Sequence, residues 1–341
     1  MDARSEALEV AAEHLGRPTA LVEKDIYVVW ALAALERAPF AGQVVFKGGT
    51  SLSMAYRLID RFSEDVDLTY DIRALAPDLV ADGTGDGWPR SRSQANTWAS
   101  VIQQRLAAWL QATAAEHFRS AAHEDGVSVE VEIAVEPKRN QFDLHLRYER
   151  TAAGQPDYVR PSVKLEFGAR GTGEPHRRFT ITTDAAATPA LTEVTFPRAS
   201  VATLTAERTF WEKATAAHVY CVRTKLRSAR AFARHWYDLV RLQAGSVATK
   251  AVHDRSLALE VARWKSLFFH ESGVDYDLAV NGHLRLVPTN HARDALRDDY
   301  DRMVEAGLLH AAGPTFDEIL TICADLETLI NDSAKQSRTA R

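Results

Sequence analysis

Apolar residues recur at helical spacing over residues 5–15 and again over 20–37, where Leu21, Ile26, Val29, Leu32 and Leu35 form one stripe. The pattern then changes. Val44 to Phe46 is a short apolar run, read as a buried strand, and it ends at Gly48-Gly49. In the helix expected next, Thr50 or Ser51 serves as the cap, and Leu52, Ala55 and Ile59 line one face. Glu64 to Tyr70 alternates in period two, with Val66 and Leu68 on one side and Asp65, Asp67 and Thr69 on the other. Residues 82–94 are Gly-rich and polar and read as an exposed loop, and Trp98 to His117 reads as a long helix.

Three alternating segments follow, Val127 to Val135, Phe142 to Tyr148 and Ser162 to Phe167, separated by turn-like stretches. Phe179 to Thr182 and Glu193 to Phe196 are read as further strands. From Thr205 the period is helical, with helices expected near 205–224, 228–243, 247–269, 291–306 and 315–333. The order predicts an α+β chain. A mixed sheet flanked by helices occupies residues 1–203, a mainly helical domain residues 204–335, and a frayed tail residues 336–341.

Composition narrows this picture little. With 341 residues, 46% hydrophobic and 26% charged, the chain has the balance of a folded protein of about two domains. Cys221 and Cys323 are its only cysteines, too few for a disulfide framework or a Cys-rich zinc site. The first residues, "MDARSEALEVAAEHLG", are acidic and amphipathic and lack a signal-peptide core. No apolar run reaches the roughly 20 residues that span a bilayer. A cytoplasmic protein without a membrane partner is expected. The formal charge of −5 excludes indiscriminate nucleic-acid binding, so any such partner must meet a local basic patch.

The chemistry gathers around "VVFKGGTSLSMAYRLIDRFSEDVDL", Val44 to Leu68. Asp65 and Asp67 at i and i+2 of a strand share a face, about 7 Å apart at Cα. Carboxylates held that close repel unless a cation sits between them, and Mg²⁺ favours one or two carboxylates together with substrate phosphates. An ordinary exposed strand face gives the same alternation. The glycines restrict the reading: between a strand and a helix start, bare backbone lets a phosphate approach closely. The pattern is neither a Walker A loop nor G-x-G-x-x-G, because Lys47 precedes the glycines and no Gly-Lys-Ser/Thr follows.

Phe46-Lys47-Gly48-Gly49-Thr50-Ser51-Leu52 followed by Arg61-Phe62-Ser63-Glu64-Asp65-Val66-Asp67-Leu68 resembles the AbiEii/AbiGii-type nucleotidyltransferase toxin family, of the DNA polymerase beta-like nucleotidyltransferase superfamily. "VEKDIYVVWAL" (Val22 to Leu32) resembles the entry helix of that family, "ERTFWEKATAA" (Glu207 to Ala217) its lysine-bearing helix, and "ARHWYDLVRL" (Ala233 to Leu242) its Arg-Asp-x-x-Asp-Leu motif. At His235 the chain departs from the Asp often found there. The resemblance implies a polymerase beta-like catalytic domain whose site is completed from the helical domain. It places Lys47, Gly48, Gly49 and Thr50 at the triphosphate with Ser63 beside them, and Asp65 and Asp67 on Mg²⁺ or Mn²⁺. It gives Lys213 the task of neutralising phosphate, and Asp238 that of completing the site.

The third carboxylate of such a site stays open between Glu166, the first candidate as base or metal ligand, and Glu130 or Glu132 on "VSVEVEI". A solvated strand face accounts equally for all of them. Lys213 could equally be a surface lysine of its helix, and Asp238 could pair with Arg234 four residues earlier. Arg223, Lys225, Arg227, Arg230 and Arg234 form a basic run, either a solvated helix face or a path for an RNA backbone, and Arg177/Arg178 and Lys138/Arg139 are further candidates. The resemblance implies transfer of NMP from an NTP to an acceptor hydroxyl, with the tRNA 3′ end as acceptor class, blocked aminoacylation as consequence and a separately encoded antitoxin as partner. The same core could instead modify a protein or a small molecule such as an aminoglycoside, or serve as a non-catalytic NTP-binding module.

Overall fold

Val66 and Leu68 lie opposite Leu165 and Phe167, and Leu165 lies opposite Leu144, so alternation along each strand builds one continuous apolar face across the sheet. The computed structural model describes residues 3–62, 65–85, 87–136, 141–151, 160–223, 232–309 and 313–339. The sheet contains β1 (Val44–Lys47), β2 (Asp65–Tyr70), β3 (Val129–Glu136), β4 (Gln141–Tyr148), β5 (Ser162–Gly168), β6 (His176–Thr182) and β7 (Arg198–Leu204), in the order β3-β4-β5-β2-β1-β7-β6. It is mixed: β2 runs antiparallel to β1 and parallel to β5, while β3, β4 and β5 are antiparallel neighbours.

The helices are α1 (Ala3–Leu15), α2 (Thr19–Glu36), α3 (Gly48–Met54), α4 (Ile72–Leu75), α5 (Pro77–Asp82), α6 (Arg92–Trp109), α7 (Ala115–Glu124), α8 (Ala206–Val222), α9 (Arg234–Ala244), α10 (Val247–His253), α11 (Arg255–Phe268), α12 (Tyr276–Leu278), α13 (Asn290–Glu305) and α14 (Phe316–Thr339). The α+β class expected from the sequence is therefore observed, with a mixed sheet followed by a helical C-terminal region.

The chain forms two compact units, and neither is contiguous. The first comprises residues 1–55, 64–87 and 100–203, and the second 56–63, 88–99 and 204–341. In the first unit α2 is buried along most of its length, and Tyr27 stacks on Tyr148 of β4 with ring centroids 3.8 Å apart. Trp109 at the end of α6 packs edge-on to Phe40 and Phe167. In the second unit Trp211 and Trp236 are wholly buried, and their indole N–H groups donate to the carbonyls of Ala251 and Leu286 at 3.0 and 2.7 Å.

Several expectations are corrected. Glu193 to Phe196 is turn and irregular chain, and the strand starts after Pro197 as β7. Of its buried positions, Ala199 is small and Thr203 polar, which thins the hydrophobic signal that Val201 and Leu204 give. The helix expected over 247–269 is divided at Asp254, whose carboxylate accepts the Leu257 N–H and caps α11. The long helix starts earlier, at Arg92, and passes through a π-helical turn at Leu110–Ala114 into α7. Neither Thr50 nor Ser51 caps α3, which begins at Gly48 itself. The last helix runs to Thr339, into the stretch read from the sequence as a tail.

Candidate active site

Register places the first group of side chains. Lys47 of β1 lies opposite Asp67 of β2, Asp67 opposite Glu166 of β5, and Glu166 opposite Asp143 of β4. Directly paired residues share a face, so Lys47, Asp67, Glu166 and Asp143 form one row across the four strands. The adjacent row on that face runs Asp65, Lys164, His145 and Glu132. Strand register thus sets Asp65, Asp67 and Glu166 on neighbouring positions of one face, and Asp143 joins them.

Gly48 closes this arrangement from the side of β1. Its φ is +78°, in the left-handed region that glycine tolerates, and a β-carbon there would overlap Oδ2 of Asp67 and lie 2.8 Å from its Cγ. The buried Thr50 hydroxyl donates to the backbone carbonyl of Asp65, and the Ser51 hydroxyl donates to that of Gly48 at 2.9 Å. These hydroxyls are committed to backbone, so Thr50 acts as a tie between α3 and β2. What α3 leaves open toward the carboxylates is main chain.

Lys164 sits among the acids. Its Nζ donates to Glu166 Oε2 at 2.8 Å and stands 3.6 Å from Asp143 Oδ2 and 3.7 Å from Asp65 Oδ2. Partial burial alone would lower this amine, but the Glu166 hydrogen bond and the charges of Asp65, Glu166 and Asp143 outweigh it and raise its pKa. Asp143 is fully buried; Gln141 donates to its Oδ2 at 2.8 Å, while Oδ1 has no hydrogen-bond partner. Burial pushes its carboxyl above the usual carboxylate range despite the Lys164 charge. The oxygen donors of this face suit a hard cation such as Mg²⁺. Among the described residues, however, no three His, Cys, Asp or Glu side chains are gathered closely enough to hold a metal by themselves.

The second unit holds the other residues. Arg61 Nε and Nη2 grip Asp238 bidentately at 2.7 and 2.8 Å, and Lys213 Nζ reaches the same carboxylate at 2.7 Å. Asp238 therefore pairs with Arg61 and Lys213, where the sequence offered Arg234. All three are buried, with Asp238 wholly so. Burial alone would raise the Asp238 pKa, but the two cations hold it well below the carboxylate range. One carboxylate serves two cations, and burial with the neighbouring Arg61 and Arg234 charges lowers the Lys213 amine. The adjacent His235 imidazole is pushed well below its ordinary value by burial and by Lys213, and its Nδ1 has no hydrogen-bond partner. The segment carrying Arg61 is fastened within this unit by the Phe62 N–H donating to the Leu308 carbonyl at 2.7 Å.

The family model for the nucleotidyl transferase AbiEii toxin of type IV toxin–antitoxin systems matches residues 30–322. The chain belongs to the AbiEii family. Among solved structures it is similar to MenT4, the nucleotidyltransferase toxin Rv2826c from Mycobacterium tuberculosis H37Rv. The identity is 15% and the TM-score 0.48, covering 98% of this chain and 96% of that one. No curated protein matches the sequence.

Within this AbiEii chain, Ser63 lies outside the described residues, as do Lys138, Arg139, Lys225, Arg227 and Arg230. Arg223 forms an ion pair with Glu271 in the second unit. Arg177 and Arg178 lie exposed on β6, an edge of the sheet, and Arg178 donates to the Ser200 carbonyl at 2.7 Å. Glu132 is held by Arg147 at 2.7 Å, and it and Glu130 lie on β3, three strands from β2. The sequence reading gave no role to Asp143, Lys164 or Arg61. Asp143 was legible as the polar phase of an otherwise apolar strand, and Arg61 stood within the motif that carried the resemblance. No helix of the described residues is long and apolar enough to cross a membrane.

Proposed function

We propose that this AbiEii-family protein is a divalent-metal-dependent nucleotidyltransferase that moves an NMP from an NTP to an acceptor hydroxyl and releases pyrophosphate. The observation that carries this reading is the carboxylate row of Asp67, Glu166 and Asp143 beside Asp65, with the bare backbone of Gly48 against Asp67. Asp65 and Asp67 are the residues that would hold Mg²⁺. When bound, such an ion neutralises phosphate charge and polarises the α-phosphorus.

The chain's own part is positioning and charge. Gly48 admits the triphosphate where any side chain would collide with Asp67. Glu166, the half-exposed carboxylate of the row, takes the proton of the acceptor hydroxyl. The acceptor oxygen bonds to the α-phosphorus in line as the bond to the β-phosphate oxygen breaks. Lys213 is assigned to phosphate neutralisation by the family resemblance, and the surplus positive charge of its cluster with Arg61 and Asp238 supports that assignment.

The tRNA 3′ end is the proposed acceptor, with blocked aminoacylation as the toxic effect, a separately encoded antitoxin as partner and the cytoplasm as the place of action. The family resemblance supports these assignments, and exposed arginines such as Arg177 offer contacts to an RNA backbone. Incubation of the purified protein with each α-labelled NTP and total tRNA, followed by sequencing of tRNA 3′ ends, tests the reading. Label is expected on tRNA with the wild type, and none with Asp65→Asn or Asp67→Asn. Full transfer by the Asp65→Asn protein would sink the assignment. Label on protein or on an aminoglycoside would redirect the acceptor, and nucleotide binding without pyrophosphate release would mark a non-catalytic module.

A further inference from the structure

Lys164 occupies a position that the reaction itself does not require. Its ammonium stands within 3.7 Å of three carboxylates: Glu166 at 2.8 Å, Asp143 at 3.6 Å and Asp65 at 3.7 Å. Asp143 is fully buried, and one of its oxygens has no hydrogen-bond partner, so this carboxyl has capacity for a donor or cation that the chain does not fill. A divalent ion brought to Asp65 would face the Lys164 charge at a distance where like charges repel strongly.

We propose that Lys164 is a built-in counter-cation of the carboxylate face. It offsets part of the charge of Asp65, Asp143 and Glu166 while the site is metal-free, and it must swing away when a divalent ion enters with its nucleotide. The inference rests on the reading that Asp65 and Asp67 hold the metal. Its consequence is regulatory: Lys164 keeps the free ion weakly bound, and the triphosphate, which carries its own ion and its own negative charge, supplies what displaces the ammonium. Occupancy of the site thereby follows nucleotide and not free metal. Lys164 is on this account a positioning residue, since it acts on the carboxylates.

The test is Mn²⁺ binding by full-length protein, followed by electron paramagnetic resonance of the free ion, with and without a non-hydrolysable NTP analogue. Wild type is expected to bind Mn²⁺ weakly alone and tightly with the analogue. Lys164→Met and Lys164→Gln are expected to bind Mn²⁺ alone on the order of ten- to a hundredfold more tightly than wild type. Lys164→Arg, which keeps the charge, is expected to behave as wild type. Unchanged or weaker Mn²⁺ binding by both neutral variants overturns the proposal. If the neutral variants fold only with Mn²⁺ present, the metal is replacing the ammonium, as proposed. If they remain unfolded at saturating Mn²⁺, the lysine is purely structural and the proposal falls. The two readings fail separately. Mn²⁺ binding with analogue that survives Asp65→Asn defeats the metal assignment, whereas binding lost in Asp65→Asn but indifferent to Lys164 defeats only the counter-cation.

Discussion

Gly48 and Asp67 are fitted to one another: at φ +78° Gly48 leaves no room for a β-carbon, which would lie 2.8 Å from Cγ of Asp67 and overlap its carboxylate. Gly48→Ala should cost about 1–2 kcal/mol of stability from the left-handed backbone alone. Transfer should fall much further, because the methyl group pushes aside the carboxylate assigned to the metal. Urea unfolding together with an NMP-transfer assay checks this. A variant that loses stability but keeps full activity would remove Gly48 from the site.

Glu166 and Glu132 stand in different rows of the face. Glu166→Gln should lower transfer by about 10²- to 10⁴-fold, the range for loss of a positioned proton acceptor, with the fold retained. Glu132→Gln, whose parent carboxylate is held by Arg147 on the outer strands, should stay within about twofold of wild type, as expected for an exposed pair. Single-turnover rates of both proteins decide between them.

The buried triad of the second unit predicts an asymmetry. Asp238→Ala strands Arg61 and Lys213 without a counter-charge and should cost about 3–5 kcal/mol. Lys213→Met leaves Asp238 gripped by both Arg61 bonds and should cost clearly less, while abolishing transfer. Thermal melts of the two variants, read beside their activities, show whether the lysine is kept for chemistry.

A buried histidine gives the pH dependence. His218 accepts the Arg285 N–H through Nδ1 at 2.9 Å, and burial lowers its pKa to about 4 from 6.5, against the raising influence of Glu327. The unfolded chain therefore binds a proton that the folded chain refuses between these values. Stability is complete above the unfolded pKa and falls as pH drops toward 4, by about 3 kcal/mol in total. His218→Gln should flatten this acid limb. Urea midpoints measured between pH 7 and pH 4.5 will show the difference.

Much of this was readable in the sequence, for physical reasons that differ by element. The alternation in "DVDLTY" and "SVKLEFG" survives because one face of each strand meets the core and the other carries the acids. The Gly-Gly start of α3 was visible, yet the use of Thr50 was not, since a hydroxyl tied to a carbonyl fifteen residues away leaves no local pattern. The strand β7 is faint in the sequence because Ala199 and Thr203 take two of its buried positions. Asp143 and Arg61 leave no such signal, because their partners come near only through strand register or chain return, and Lys164, whose nearest partner Glu166 is two residues away, gains Asp65 and Asp143 the same way.

The Arg61–Asp238 pair spans 177 residues of sequence. During synthesis a ribosome therefore releases the guanidinium long before it makes the carboxylate that neutralises it. The unit that holds the Lys213 amine cannot close on a nascent chain until most of the polypeptide has emerged. A chain cut short before Asp238 therefore carries a guanidinium and an ammonium whose shared counter-charge does not yet exist.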